Sequence, residues 1–135
     1  MKKNDSLDTK SIVNISSIVR RNRRNPFQAH YSASKGGIRL PSKGSASLYC
    51  AQADFPGGKI RINSVHPGGV ATPLAANVAH HKMNEGVSFL TKYAYSIGMM
   101  ATPDQLVSAI AFLASNDASF VTGTELIVDG GWTAQ

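Results

Sequence analysis

Three short runs of branched apolar residues mark this chain, each ending in turn-forming residues. Ile12-Val13-Asn14-Ile15 passes into Ser16-Ser17, which reads as a buried strand entering a loop. Ile60-Arg61-Ile62-Asn63-Ser64-Val65 alternates apolar with polar and stops at His66-Pro67-Gly68-Gly69, a second strand followed by a turn. Glu125-Leu126-Ile127-Val128 is the third, opened by Gly123 and closed by Asp129-Gly130-Gly131.

Between the second and third strands the period changes from two to that of a helix. Thr102 is placed to be an N-cap, Pro103 stands at the first helical position and Gln105 completes a capping box. Leu106, Ile110 and Leu113 then share one face, and Asn116 is a candidate terminator. Segment 31–51 must bridge the first two strands and is long enough for a crossover helix. It contains Gly36, Gly37, Pro41 and Gly44. Each interior Gly costs about 1 kcal/mol relative to Ala and Pro about 3 kcal/mol, so local propensity predicts a weak or broken helix. Segment 73–100 is polar, mixed and irregular, a long excursion of the kind that often forms a lid. Strand, helix, strand, helix, strand argues for an α/β layer with parallel pairing.

The length, 135 residues with 42% apolar, suits one domain with a modest stability margin. No stretch approaches the roughly 20 apolar residues of a membrane span. The opening MKKNDSLDTK lacks the apolar segment of a secretory signal. The single cysteine, Cys50, lies in an apolar stretch and reads as a small buried hydrophobe. It cannot form an intrachain disulfide, and a cytoplasmic location is expected. His80-His81 are adjacent, which suits neither helix-face nor strand-face ligation, and no metal site is expected.

The net charge is +6, and four arginines, Arg20, Arg21, Arg23 and Arg24, fall in one run. Such runs are usually solvated loops; a phosphate or nucleic-acid contact is the alternative. No aromatic residues interleave them, so the stacking platform of single-strand binders is missing.

Tyr31 and Lys35 are four residues apart in Tyr-Ser-Ala-Ser-Lys, which on a helix puts them on one face. A phenol, with a pKa near 10, is a poor base at neutral pH, and bringing it to about 7 takes roughly 4 kcal/mol of phenolate stabilisation. A nearby ammonium has the right sign to supply it. Tyr31 would then exchange a proton with an alcohol or carbonyl oxygen, and Ser17, at a strand end, would orient that oxygen. Alone, such a pair is more often a surface contact.

The pair keeps specific company. Val13-Asn14-Ile15-Ser16-Ser17, Tyr31-Ser32-Ala33-Ser34-Lys35-Gly36-Gly37, Ile60 to Gly68, Thr72, Phe112-Leu113-Ala114-Ser115, Val121-Thr122-Gly123 and Val128-Asp129-Gly130-Gly131 follow in the order seen in short-chain dehydrogenases/reductases. The resemblance covers residues 11–135 and is nearest to the alcohol, hydroxysteroid and cyclopentanol dehydrogenase branch. It implies a Rossmann-like doubly wound parallel sheet, NAD or NADP as cofactor, an alcohol or ketone substrate, a substrate lid over 73–100 and a homo-oligomer. It implies that Ser17 orients substrate, that Tyr31 is the acid/base, and that Lys35 assists Tyr31 and holds the nicotinamide ribose beside it. Pro67, Gly68, Val70 and Thr72 match the segment that lies along the nicotinamide. Gln135 matches a position that touches magnesium in some relatives.

The departures are as informative. The family's glycine-rich turn receives the pyrophosphate at a helix N-terminus, and no G-x-x-x-G-x-G or Asn-Asn-Ala-Gly stretch occurs in these 135 residues. Met1-Lys2-Lys3-Asn4 resembles the end of the helix that carries the family's catalytic asparagine. The expectation is therefore one partial domain, 1–135, with the first strands missing and no activity alone. A non-catalytic remnant or oligomerising subunit is the alternative, and a basic nucleic-acid-binding module a lesser one.

Overall fold

The computed structural model describes residues 10–18, 29–51, 60–73, 75 and 100–134. The basic run 20–24, His80-His81, Gln135 and nearly all of the excursion 73–100 lie outside the described residues, as do the first nine residues and the Cys50 side chain. Three strands form one sheet: β1 (Lys10–Ile15), β2 (Ile60–Pro67) and β3 (Glu125–Val128). Their order is β1-β2-β3, and both pairings are parallel. Helix α1 (Ala29–Ala51) joins β1 to β2, and α2 (Pro103–Ala114) precedes β3. A short 3-10 turn follows α2 at Asn116–Ala118, and another follows β3 at Trp132–Ala134. Among the described residues, no helix is long and apolar enough to cross a membrane.

The two helices cover opposite faces. Side chains alternate along a strand: Val13, Val65, Leu126 and Val128 pack with Leu113 of α2, whereas Asn14 bonds Ser42 and Glu125 bonds Arg39, both of α1. Core packing is densest on the α2 side, where Val65, Leu113 and Ala118 are fully buried. Leu106 and Ile110 complete that face, as the helical spacing predicts.

Helix α2 is encoded locally. The Thr102 side chain accepts from the Gln105 backbone N–H, the Gln105 side chain accepts from Thr102 N–H, and Pro103 opens the helix. The helix closes one residue before the predicted terminator: Ser115 is its C-cap, and Asn116 begins the 3-10 turn. Here Ser115 accepts through its side chain from Asp117 N–H, so it ends one element and starts the next.

Helix α1 corrects the expectation of a broken helix. It runs unbroken for 23 residues through all three glycines and Pro41. Tertiary anchoring overrides local propensity here. Asn14 Nδ2 donates to Ser42 Oγ, which donates to the Ile38 carbonyl, a group in the turn that Pro41 interrupts. Ser16 Oγ donates to the Lys35 carbonyl at 2.8 Å. Ala46 is buried, its Cβ facing Gly123. Pro41 itself is exposed.

Strand β2 also differs from a half-exposed alternating strand, since Arg61 through Pro67 are all buried. The alternation separates two buried faces because β2 is central and covered on both sides. Each polar side chain has defined partners. Arg61 donates to the carbonyls of Leu113 and Ser115, binding the last turn of α2, whose carbonyls have no intrahelical partner. Asn63 donates to Val121 O and accepts from Thr124 N–H, fixing the approach to β3.

Candidate active site

In parallel α/β sheets the strands deliver their loops to one edge, where ligands bind. The sequence-predicted residues gather at that edge. Ser17 follows β1, Tyr31 and Lys35 occupy the first turns of α1, and Pro67, Gly68, Val70 and Thr72 end β2 or follow it.

The first cluster is assembled by β1 and α1 together. The helical register puts Lys35 one turn from Tyr31, its ammonium 5.8 Å from the ring centroid, within cation–π range. Lys35 Nζ also donates to the Ile15 carbonyl at 3.0 Å. With the Ser16–Lys35 bond in the opposite direction, two hydrogen bonds lock the start of α1 to the end of β1. Ser16 and Ser17 are both buried. Tyr31 is half-buried.

The second cluster is shaped by the close approach of β2 to the turn after β3. Gly68 N–H donates to Val128 O at 2.9 Å. A Cβ on Gly68 would lie 2.9 Å from Asp129 Cα, so any larger residue would force two backbones apart. Asp129 is held in turn, accepting from Gly131 and Thr133 N–H through its carboxylate. Gly130 and Gly131 take positive φ, 63° and 85°, which is why two glycines close the strand. Beyond Gly68, Val70 pairs with Ala101 in a parallel bridge, and reciprocal bonds of 2.9 Å join Ala71 N–H to Ala101 O and Ala101 N–H to Gly69 O. That clasp fixes segment 69–71 against the residue before the N-cap of α2. Thr72 Oγ1 accepts from Ala75 N–H, and its own O–H stays able to donate.

Two features escaped the sequence reading. Arg39 continues the Tyr31–Lys35 stripe by one more turn and forms an ion pair with Glu125 of β3, with Nε 2.7 Å from Oε1. The guanidinium holds the Glu125 carboxyl below the usual carboxylate range. The i, i+4, i+8 spacing hints at Arg39, but nothing local marks its partner 86 residues away. The second feature is His66, only 2% exposed, where burial lowers its pKa below the ordinary 6.5. Its Nε2 lies 2.9 Å from Ser64 Oγ and its Nδ1 3.2 Å from the Ser17 carbonyl oxygen. Beside Pro67-Gly68 it had read as part of a turn.

The arrangement is a phenol, an ammonium and a buried serine at the ligand-binding edge of a parallel sheet. The family described as enoyl-(acyl carrier protein) reductase matches residues 1–133. An NADP-dependent (R)-specific alcohol dehydrogenase of Lentilactobacillus kefiri is 40% identical over 125 residues, 93% of this chain and 46% of that protein. A cyclopentanol dehydrogenase of Comamonas testosteroni is 40% identical over 109 residues, covering 81% of this chain and 40% of its own length. Among solved structures, a gluconate 5-dehydrogenase from Burkholderia cenocepacia in complex with NADP and tartrate superposes with a TM-score of 0.76 at 30% identity. It covers 94% of this chain, which spans 46% of it. The chain belongs to the short-chain dehydrogenase/reductase family, of the oxidoreductase lineage, with a partial Rossmann-type fold. It spans about half the length of these relatives.

Proposed function

We propose that this chain carries the catalytic half of an NAD(P)-dependent oxidoreductase that interconverts secondary alcohols and ketones. The observation that carries the reading is the Tyr31–Lys35 pair, locked by Lys35 to the end of β1 beside Ser17. The 40%-identical alcohol and cyclopentanol dehydrogenases support the substrate class.

The residues present fit a nicotinamide nucleoside. The β1–α1 cluster offers a phenol, hydroxyls and an ammonium with two N–H donors beyond the one on Ile15, the donor set a ribose diol takes. The β2 end offers the Thr72 hydroxyl and a glycine-narrowed backbone at Pro67, Gly68 and Val70, suited to a flat ring and its carboxamide. When bound, the nicotinamide supplies hydride exchange with the substrate carbon. In alcohol oxidation Tyr31 takes the hydroxyl proton; in ketone reduction it gives that proton back to the oxygen. The Lys35 ammonium places a positive charge 5.8 Å from the centroid of the Tyr31 ring. Ser17 donates to the same oxygen and fixes its orientation.

These 135 residues contain no glycine-rich pyrophosphate turn, so the chain alone is expected not to turn over. Fusion of the N-terminal half of the L. kefiri relative tests the reading. Oxidation of cyclopentanol or a similar secondary alcohol with NAD or NADP is expected from the fusion and not from the chain alone. A folded fusion that binds cofactor yet reacts with no secondary alcohol overturns it. Association is also proposed, since Leu40, Leu48 and Phe120 are 70%, 64% and 101% exposed; sedimentation as a sharp monomer at high concentration would contradict it.

A further inference from the structure

We propose that His66 is a positioning residue for Ser17, acting through the Ser17 backbone carbonyl. The β1–β2 ladder continues past β1, with Ser16 N–H donating to Val65 O and Ile18 N–H to Pro67 O. Pro67 itself has no N–H, so β2 gives the Ser16 carbonyl no ladder bond, and the His66 ring adds a side-chain donor one residue further on, at the Ser17 carbonyl. A carbonyl oxygen accepts only, so the 3.2 Å contact requires the proton on Nδ1. Nε2 of the neutral ring then accepts from Ser64 Oγ–H at 2.9 Å. Burial disfavours the charged ring. The ring is thus set between a neighbour on its own strand and the residue whose hydroxyl would orient the substrate oxygen. Its chemistry touches no reacting atom; it restricts the backbone that carries Ser17.

The inference rests on the oxidoreductase reading only for its consequence in catalysis. The direct test is heteronuclear NMR of the labelled 135-residue chain. The His66 ring is expected as the Nδ1–H tautomer, and His66→Leu is expected to shift the Ser17 carbonyl carbon resonance. His66→Asn, whose Nδ2–H occupies nearly the place of Nδ1–H, is expected to restore it. An Nε2–H tautomer, or a Ser17 resonance unmoved by His66→Leu, overturns the proposal. In the fusion enzyme, His66→Leu is expected to lower kcat about tenfold, the effect of one positioning hydrogen bond of ordinary strength. The cofactor KM should stay unchanged, and His66→Asn should recover kcat to within about twofold. Full kcat in His66→Leu also overturns it. If the unsubstituted fusion oxidises no secondary alcohol, the oxidoreductase reading fails, while the tautomer and the Ser17 resonance still decide the role of His66.

Discussion

Helices α1 and α2 lie on opposite faces of one sheet and are specified in opposite ways. Helix α2 carries its own instructions: an N-cap, a capping box, a proline at the first position and an apolar stripe. Helix α1 carries three glycines and a proline in its interior, and it is held by side chains that reach it from β1 and β3. The proposed chemistry sits on the second kind. A helix fixed by distant anchors has its position set to the sheet edge, which is what the roles proposed for Tyr31 and Lys35 require. A helix fixed by its own caps needs only to cover a face.

The largest difference between the two should appear in catalysis. In the fusion enzyme, Tyr31→Phe keeps the ring and removes the proton-transferring oxygen. The rate should fall at least on the order of a hundredfold, the lower end for acid–base catalysis. Lys35→Ala should be similarly damaging and should also weaken cofactor binding. Val107→Ala, on the exposed side of α2, should leave the rate unchanged. Steady-state kinetics of the three variants would break the comparison if Tyr31→Phe matched Val107→Ala.

Next in size is the anchor between α1 and β3. The side chains of Arg39 and Glu125 are 18% and 23% exposed, between a surface pair and a buried one. Glu125→Gln should destabilise by roughly 1–2 kcal/mol, between the values for exposed and buried pairs. A double-mutant cycle with Arg39→Met should show most of that loss as coupling. Acid should act on the same region. Glu125 has a lowered pKa, so its contribution is present above about 4.5 and lost as pH falls through the folded value. His66, facing Arg39 and Glu125, is also lowered; its neutral form is favoured by folding, so stability is full above about 6.5 and declines as pH falls below that. Denaturant midpoints should therefore drop on acidification, beginning below pH 6.5. In His66→Asn the first part of the decline should vanish and the part due to Glu125 remain.

The legible parts of this fold are those written in neighbouring residues. The capping box at Thr102, the strand Glu125–Val128 with its glycine borders, and the Tyr31–Lys35 spacing all depend on residues a few positions apart. The illegible parts depend on partners far along the chain. Nothing near Pro41 announces that Asn14 and Ser42 will hold that turn of α1. The polar alternation of β2 looks like a solvated face, because Arg61 finds its acceptors at the end of a helix 52 and more residues on. The site was read through motif company, and the company fixes which residues meet at the sheet edge. It does not display the link from His66 to Ser17, because that bond joins a side chain to a backbone carbonyl 49 residues away.

Smaller effects probe the helices themselves. Thr102→Ala should cost about 1 kcal/mol, the usual worth of an N-cap, because it removes the acceptor for Gln105 N–H and one side of the capping box. Urea denaturation would show it as a lowered midpoint with an unchanged slope. A null effect would mean that packing of Leu106, Ile110 and Leu113 alone determines α2.

The smallest effect has the opposite sign and belongs to α1. Gly44 is exposed, and a Cβ there would meet nothing within 4 Å. Its backbone is helical with no positive φ, so alanine fits without strain. Gly44→Ala should therefore stabilise by roughly 0.5–1 kcal/mol, by restricting the unfolded chain and improving local propensity. The same exchange at Gly68 should destabilise, because there the new Cβ meets Asp129 backbone. A raised urea midpoint for Gly44→Ala, with full rate in the fusion enzyme, would show that the weak propensity of α1 is not needed for its chemistry. A stabilised variant with a reduced rate would show instead that α1 must yield during turnover, and the contrast between an anchored helix and a self-capped one would become a contrast in mobility.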